Sequence, residues 1–222
     1  MDIIAVIVPY MTLLILFGSF LFGEYRYFRK DRPGYYQFAL FVLAACAVSS
    51  TYDILTYFFF TDVWFGFSLS VLSRVGATLF SLGFTSEVFS SLKEQGTDRS
   101  VKTGFGPAAS LAALIPVLII IVFFIAAALI DPDPEDVIFT GIMTVLECFS
   151  VYPAALLAFR RKNDGPADRF RFVCFALVLF WIVSQILTYV MLAGGIAILA
   201  LDLALAMSGV LLVVGLERGC GK

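Results

Sequence analysis

The sequence predicts an all-α integral membrane protein of seven transmembrane helices, with its N-terminus outside and its C-terminus inside. Three observations carry that prediction. The 222 residues are 61% hydrophobic with a mean hydropathy of +0.97, whereas soluble domains are nearer half apolar. Apolar runs of about 20 residues or more, enough for a ~30 Å hydrocarbon core, recur along the whole chain. The short connections between them alternate between basic and devoid of Lys and Arg.

The predicted spans are 3–23, 35–60, 64–91, 106–130, 137–159, 170–192 and 195–216. Residues 1–222 then form a single transmembrane domain, with no stretch inside them for a kinase, cyclase or nucleotide-binding module. The first span follows Met1-Asp2-Ile3-Ile4, which lacks a positive leader region. Its apolar run is also too long for a signal sequence, so a retained helix is expected. The connection after span 1 carries Arg26, Arg29, Lys30 and Arg32; that after span 3 carries Lys93, Arg99 and Lys102; that after span 5 carries Arg160, Arg161, Lys162, Arg169 and Arg171; the tail carries Arg218 and Lys222. The positive-inside rule places these in the cytoplasm, which points to the cytoplasmic membrane and demands an odd number of spans.

Span 4 is apolar all round from Ala108 to Ile130, with Ser110 its one polar residue and Pro116 in its interior. A helix without a polar face meets lipid on most sides. The connection after it reads Asp131-Pro132-Asp133-Pro134-Glu135-Asp136. A divalent cation would find oxygen ligands there; the plainer reading is a solvated acidic turn. Elsewhere Pro9 and Pro153 interrupt spans 1 and 5 and are expected to kink them.

A shift of 132 positions lays spans 2–3 on spans 6–7 without gaps. Ile54-Leu55-Thr56-Tyr57 then meets Ile186-Leu187-Thr188-Tyr189, Gln185 takes the place of Asp53, and Gly83 meets Gly215. The match suggests an internal duplication, with repeat units 1–95 and 137–218 in parallel orientation and helix 106–130 as the linker that such a repeat requires.

Four charged residues lie well inside spans: Asp53, Arg74, Glu147 and Asp202. At ~1.5 Å per residue all four fall roughly 10–15 Å from the outer ends of their spans. Each sits on a stripe of small or polar residues at helical spacing: Cys46, Ser49, Asp53 and Thr56 in span 2; Ser70, Arg74, Thr78, Ser81 and Thr85 in span 3; Thr140, Thr144 and Glu147 in span 5; Asp202, Ala206 and Gly209 in span 7. Span 6 adds Trp181, Gln185 and Thr188. The simplest geometry turns these five faces to one interior. Three acids and one arginine cannot all be ionised there unpaired, so Arg74 is expected to pair with Asp53 or Asp202. A remaining carboxylate is expected to be protonated. The expected binding or proton-linked set is Asp53, Arg74, Glu147, Asp202, Gln185, Trp181, Ser49 and Thr144. A cluster that merely holds helices together is the structural alternative.

Other chemistry is poorly served. With no His, histidine ligation and histidine base catalysis are excluded. Cys46, Cys148, Cys174 and Cys220 form no C-x-x-C pair and read as small buried hydrophobes. No nucleophile–base pair or phosphate-handling motif is visible, so no enzyme, cofactor, metal or nucleic-acid partner is expected. The leading expectation is a protein that binds, and moves, a small solute or ion. The alternatives are a ligand sensor or receptor signalling through a partner chain, and a non-catalytic subunit of a membrane complex.

Seven helices in a 3+1+3 plan resemble the PQ-loop class of SWEET sugar transporters and KDEL receptors. Tyr52-Asp53-Ile54-Leu55-Thr56 resembles the second-helix segment of the KDEL receptors, and Leu146-Glu147 with Pro153 resembles their fifth-helix pattern. Ala154 follows Pro153, so the Pro-Gln pair itself is absent, and no Arg lies one turn before Asp53. Leu201-Asp202 resembles the seventh-helix counter-ion position of microbial opsins. Ala206 stands where an opsin has its retinal lysine, which excludes a retinal Schiff base.

Overall fold

The computed structural model describes residues 3–59, 69–94, 107–130, 132, 134–160, 166–193 and 197–220. They form seven α-helices: α1 (Ile3–Lys30), α2 (Gly34–Phe59), α3 (Leu69–Glu94), α4 (Pro107–Ile130), α5 (Pro134–Phe159), α6 (Arg171–Ala193) and α7 (Ala197–Cys220), with a short 3-10 turn (Pro166–Phe170) before α6. Each predicted span has its helix. Five of them, α2, α4, α5, α6 and α7, are long and apolar enough to cross a membrane, the composition of a multi-pass membrane protein. Of the other two, α3 carries Arg74, Glu87 and Lys93, and α1 ends in Glu24, Arg26, Arg29 and Lys30.

Six helices close into a ring. In order around it, α1 packs on α2, α2 on α3, α3 on α5, α5 on α6, α6 on α7, and α7 back on α1. Helix α4 stands outside, against α5 and α6. Ala109, Ala113, Pro116, Ile120 and Ala127 face the bundle. Leu111, Ile115, Leu118, Val122 and Leu129 face away from it. That outward apolar face is what a lipid-facing helix requires.

The core lies toward the end of the ring where the basic connections sit. Tyr36, Leu40 and Leu43 of α2, Phe84 and Val88 of α3, Val151 and Ala155 of α5, Leu177 and Phe180 of α6, and Leu212 and Leu216 of α7 are all buried there. Close helix contact is achieved by glycine at several points, Gly23, Gly83, Gly209 and Gly215 among them. A Cβ at Gly83 would meet the Phe38 ring of α2 at 2.9 Å, and one at Gly215 would meet the Val173 Cα of α6 at 2.9 Å. The turn from α1 to α2 is made by Asp31 in the left-handed region (φ 50°), which an Asp tolerates better than most side chains, followed by Pro33, whose carbonyl accepts from the Tyr36 amide at 3.0 Å.

Candidate functional site

Three ring helices, α3, α5 and α6, each bring one polar side chain to the same point. Arg74 of α3 donates from Nε to Glu147 Oε1 at 2.5 Å and from Nη2 to Oε2 at 3.1 Å, the two-pronged geometry that gives Arg–carboxylate pairs their strength. Gln185 of α6 donates from Nε2 to Glu147 Oε2. The Glu147 carboxylate on α5 therefore accepts three hydrogen bonds. Its side chain is fully buried, while that of Arg74 keeps 22% of its surface exposed. A carboxylate at this depth is costly unless paired and hydrogen-bonded, and here both conditions are met.

A second tier lies toward the core. Ser81, seven residues beyond Arg74 on α3, accepts at Oγ from the Ser150 hydroxyl at 2.7 Å and from the Trp181 indole N–H at 3.3 Å. Ser150 follows Glu147 by three residues on α5 and Trp181 precedes Gln185 by four on α6. The two tiers thus run in the same order along α3 and α5 and in the opposite order along α6. All three members of the second tier are buried.

The expected partner of Arg74 is Asp53 or Asp202; among the described side chains the pair is with Glu147, and the expectation for Asp202 is corrected. In the ring α3 lies against α5, whereas α7 packs on α1 and α6. Asp202 is half-buried on α7 and is not joined to Arg74 or Glu147. Asp53 lies on α2, but its side chain, like those of Thr56, Ser70 and Thr188, is outside the described residues, as is the stretch 133–136 apart from the backbone of α5. Ser49 is half-buried on α2. Thr144 is buried, and its hydroxyl donates to the Thr140 carbonyl at 2.8 Å. Thr78 donates likewise to the Arg74 carbonyl at 2.9 Å. These bonds to a helix's own backbone satisfy a buried hydroxyl without any ligand.

Sequence reasoning missed two members of the polar interior. Ser150 continues the stripe of Thr140, Thr144 and Glu147 at helical spacing and could have been read from it. Glu217, near the end of α7, reads as one acid in a basic tail. It accepts from Arg32 Nη2 at 3.0 Å and from the Tyr36 hydroxyl at 2.8 Å, with Arg26 and Lys30 each at 3.9 Å. That network ties α7 to α1 and to the turn into α2.

Among the described residues, no three Cys, Asp or Glu side chains come together as a metal-ligand group. Comparison with known proteins finds no matching family model, no matching curated protein and no matching solved structure.

Proposed function

We propose that the chain is a seven-span protein of the cytoplasmic membrane, N-terminus outside, that binds and moves a small solute or ion at the Arg74–Glu147–Gln185 cluster. Protonation of Asp53, Glu147 or Asp202 couples to that movement. One observation carries the reading. The ion pair sits at the upper edge of a packed core, with Glu147 fully buried and Arg74 still 22% exposed. A pair whose only task is to hold helices gains little over apolar packing. A charged group within a membrane span with one exposed flank is the arrangement expected of a binding site. Beneath it the Ser81–Ser150–Trp181 tier and the apolar core close the cytoplasmic half, so a solute would arrive from the outer side. Pro153, three residues past Ser150, lacks the N–H that would bond the Phe149 carbonyl and supplies a hinge for the inner half of α5. The duplication is supported by Gly83 and Gly215, which coincide under the 132-residue shift and serve equivalent close contacts, α3 on α2 and α7 on α6.

The test begins with purified protein and a pooled metabolite library, read by thermal shift from about pH 4 to 9. Solutes that stabilise it go into flux assays in proteoliposomes, with wild type beside Glu147→Gln and Asp53→Asn at a temperature where all are folded. Flux that falls in either variant is the expected result. Undiminished flux in both would move the site elsewhere. A shift without flux would favour a ligand receptor, and no shift from any pool with no flux would reject solute binding in favour of a subunit role.

A further inference from the structure

The basic end of the ring holds a buried arginine whose hydrogen bonds the described residues leave unmade. Arg160 follows the last turn of α5, and its side chain is 0% exposed. Among the described residues none of its nitrogens, Nε, Nη1 or Nη2, has a hydrogen-bond partner. Asp168 of the 3-10 turn faces it, with Oδ1 3.7 Å from Nε, near enough for Coulomb attraction and too far for an N–H···O bond. A guanidinium carries five N–H donors, and a buried charge with its donors unmet is strongly unfavourable. The local sequence is one-sided in charge. Residues 160–171 include five basic and two acidic side chains. Arg171 Nε donates to the Ala158 carbonyl at 2.9 Å, which holds a second guanidinium against the same turn of α5.

We infer that Arg160 is the centre of an anion site, assisted by Arg171, and that its ligand is a phosphate group. Asp168 offsets one of the two guanidinium charges, so the ligand must supply at least one negative charge. A carboxylate has two oxygens, enough for one guanidinium fork. A phosphate presents more oxygens and suits two guanidinium groups, one just past the end of α5 and one at the start of α6. The phosphate can belong to a lipid headgroup, which this end of the bundle meets if the chain spans the membrane as proposed, or to a free phosphate-bearing solute. Either source completes the hydrogen bonding of Arg160 and locks the end of α5 to the start of α6.

The experiment uses the full chain in dodecyl maltoside. Its thermal midpoint is measured with sodium phosphate against sodium chloride of equal ionic strength, and separately with phosphatidylglycerol added to the micelles. The expected result is a rise of roughly 3–6 °C at ten times the dissociation constant of the effective ligand. Arg160→Met loses that rise and keeps only the general salting effect of phosphate; Arg160→Lys retains part of it. Replacing a buried, poorly paired charge by an apolar chain is well tolerated as a rule. If Arg160→Met nevertheless fails to fold, the wild-type response and Arg160→Lys decide. A response to phosphatidylglycerol alone assigns a headgroup, and one to inorganic phosphate alone assigns a soluble phosphate; both uphold the site. No wild-type response to either beyond chloride overturns it, as does a response undiminished in Arg160→Met.

Discussion

Glu147 is the residue on which the interior depends most, because its two oxygens serve three donors from two other helices. Glu147→Gln leaves the Arg74 charge without its counter-charge. The expected cost is about 2–3 kcal/mol, at or below the low end for a fully buried pair, because Arg74 is partly exposed. Arg74→Gln with Glu147→Gln should be less destabilised than the sum of the two single variants, by about 1–3 kcal/mol. Thermal unfolding of the three purified variants checks this, and strict additivity would mean that the pair contributes nothing as a pair. Ser81 is the corresponding acceptor of the second tier. Ser81→Ala strands the buried Trp181 N–H and the Ser150 hydroxyl, at an expected cost of about 1–3 kcal/mol. Trp181→Phe in the Ser81→Ala background removes one stranded donor and should recover part of that loss; a further loss of stability instead would show that Trp181 matters for its volume and not its hydrogen bond. Polar side chains at these positions were visible in the sequence, and so was their common depth. The partner of Arg74 was not, because residue counting gives height along a helix and says nothing of which helix stands next to it.

At the scale of the elements, neighbour order is what the sequence leaves open. Seven spans joined by short connections do not say that α4 steps outside the ring, and only that step lets α3 meet α5 and Arg74 meet Glu147. The apolar circumference of α4 was legible, since exposure of Leu111, Ile115 and Leu118 follows from the lack of any polar face. Arg160 and Glu217 were legible only as charges in basic connections, where a solvated side chain is the ordinary expectation. Helix contacts made at glycine give an element-scale prediction. At Gly215 a methyl group would meet the Val173 backbone and the Phe172 ring, and backbone cannot swing aside as a side-chain tip can. Gly215→Ala should therefore push α7 from α6 and destabilise by about 1–3 kcal/mol. Gly18 of α1 has nothing within 4 Å of the same position, so Gly18→Ala should be neutral or stabilising by up to about 1 kcal/mol. Denaturation of both variants side by side is the measurement. Equal tolerance at the two positions would mean that α6 and α7 are not in close contact at Gly215.

The whole molecule is organised by the direction of its helices. The two polar tiers run in the same order along α3 and α5 and in reverse along α6, so α3 and α5 are parallel and α6 opposes them. Glu217, near the end of α7, meets Arg32 and Tyr36 at the start of α2. Arg171, at the start of α6, reaches the end of α5. These contacts gather the ends of α1, α5 and α7 and the starts of α2 and α6 at one side, and the parallel run of α3 with α5 brings the end of α3 there too. Under the proposed orientation, with this basic side in the cytoplasm, accessibility from each side follows. In intact cells a membrane-impermeant maleimide should label Pro132→Cys, which is exposed between α4 and α5, and should label Lys30→Cys, exposed at the end of α1, only after lysis. Both variants are made in a Cys220→Ser background; the other native cysteines, Cys46, Cys148 and Cys174, are half-buried or buried and set a low background. The reverse pattern would invert the proposed orientation and put the exposed flank of Arg74 on the cytoplasmic side. Labelling of both positions in intact cells would place both ends of the bundle outside the cell. That would break the odd-span topology on which an outward-facing solute site rests.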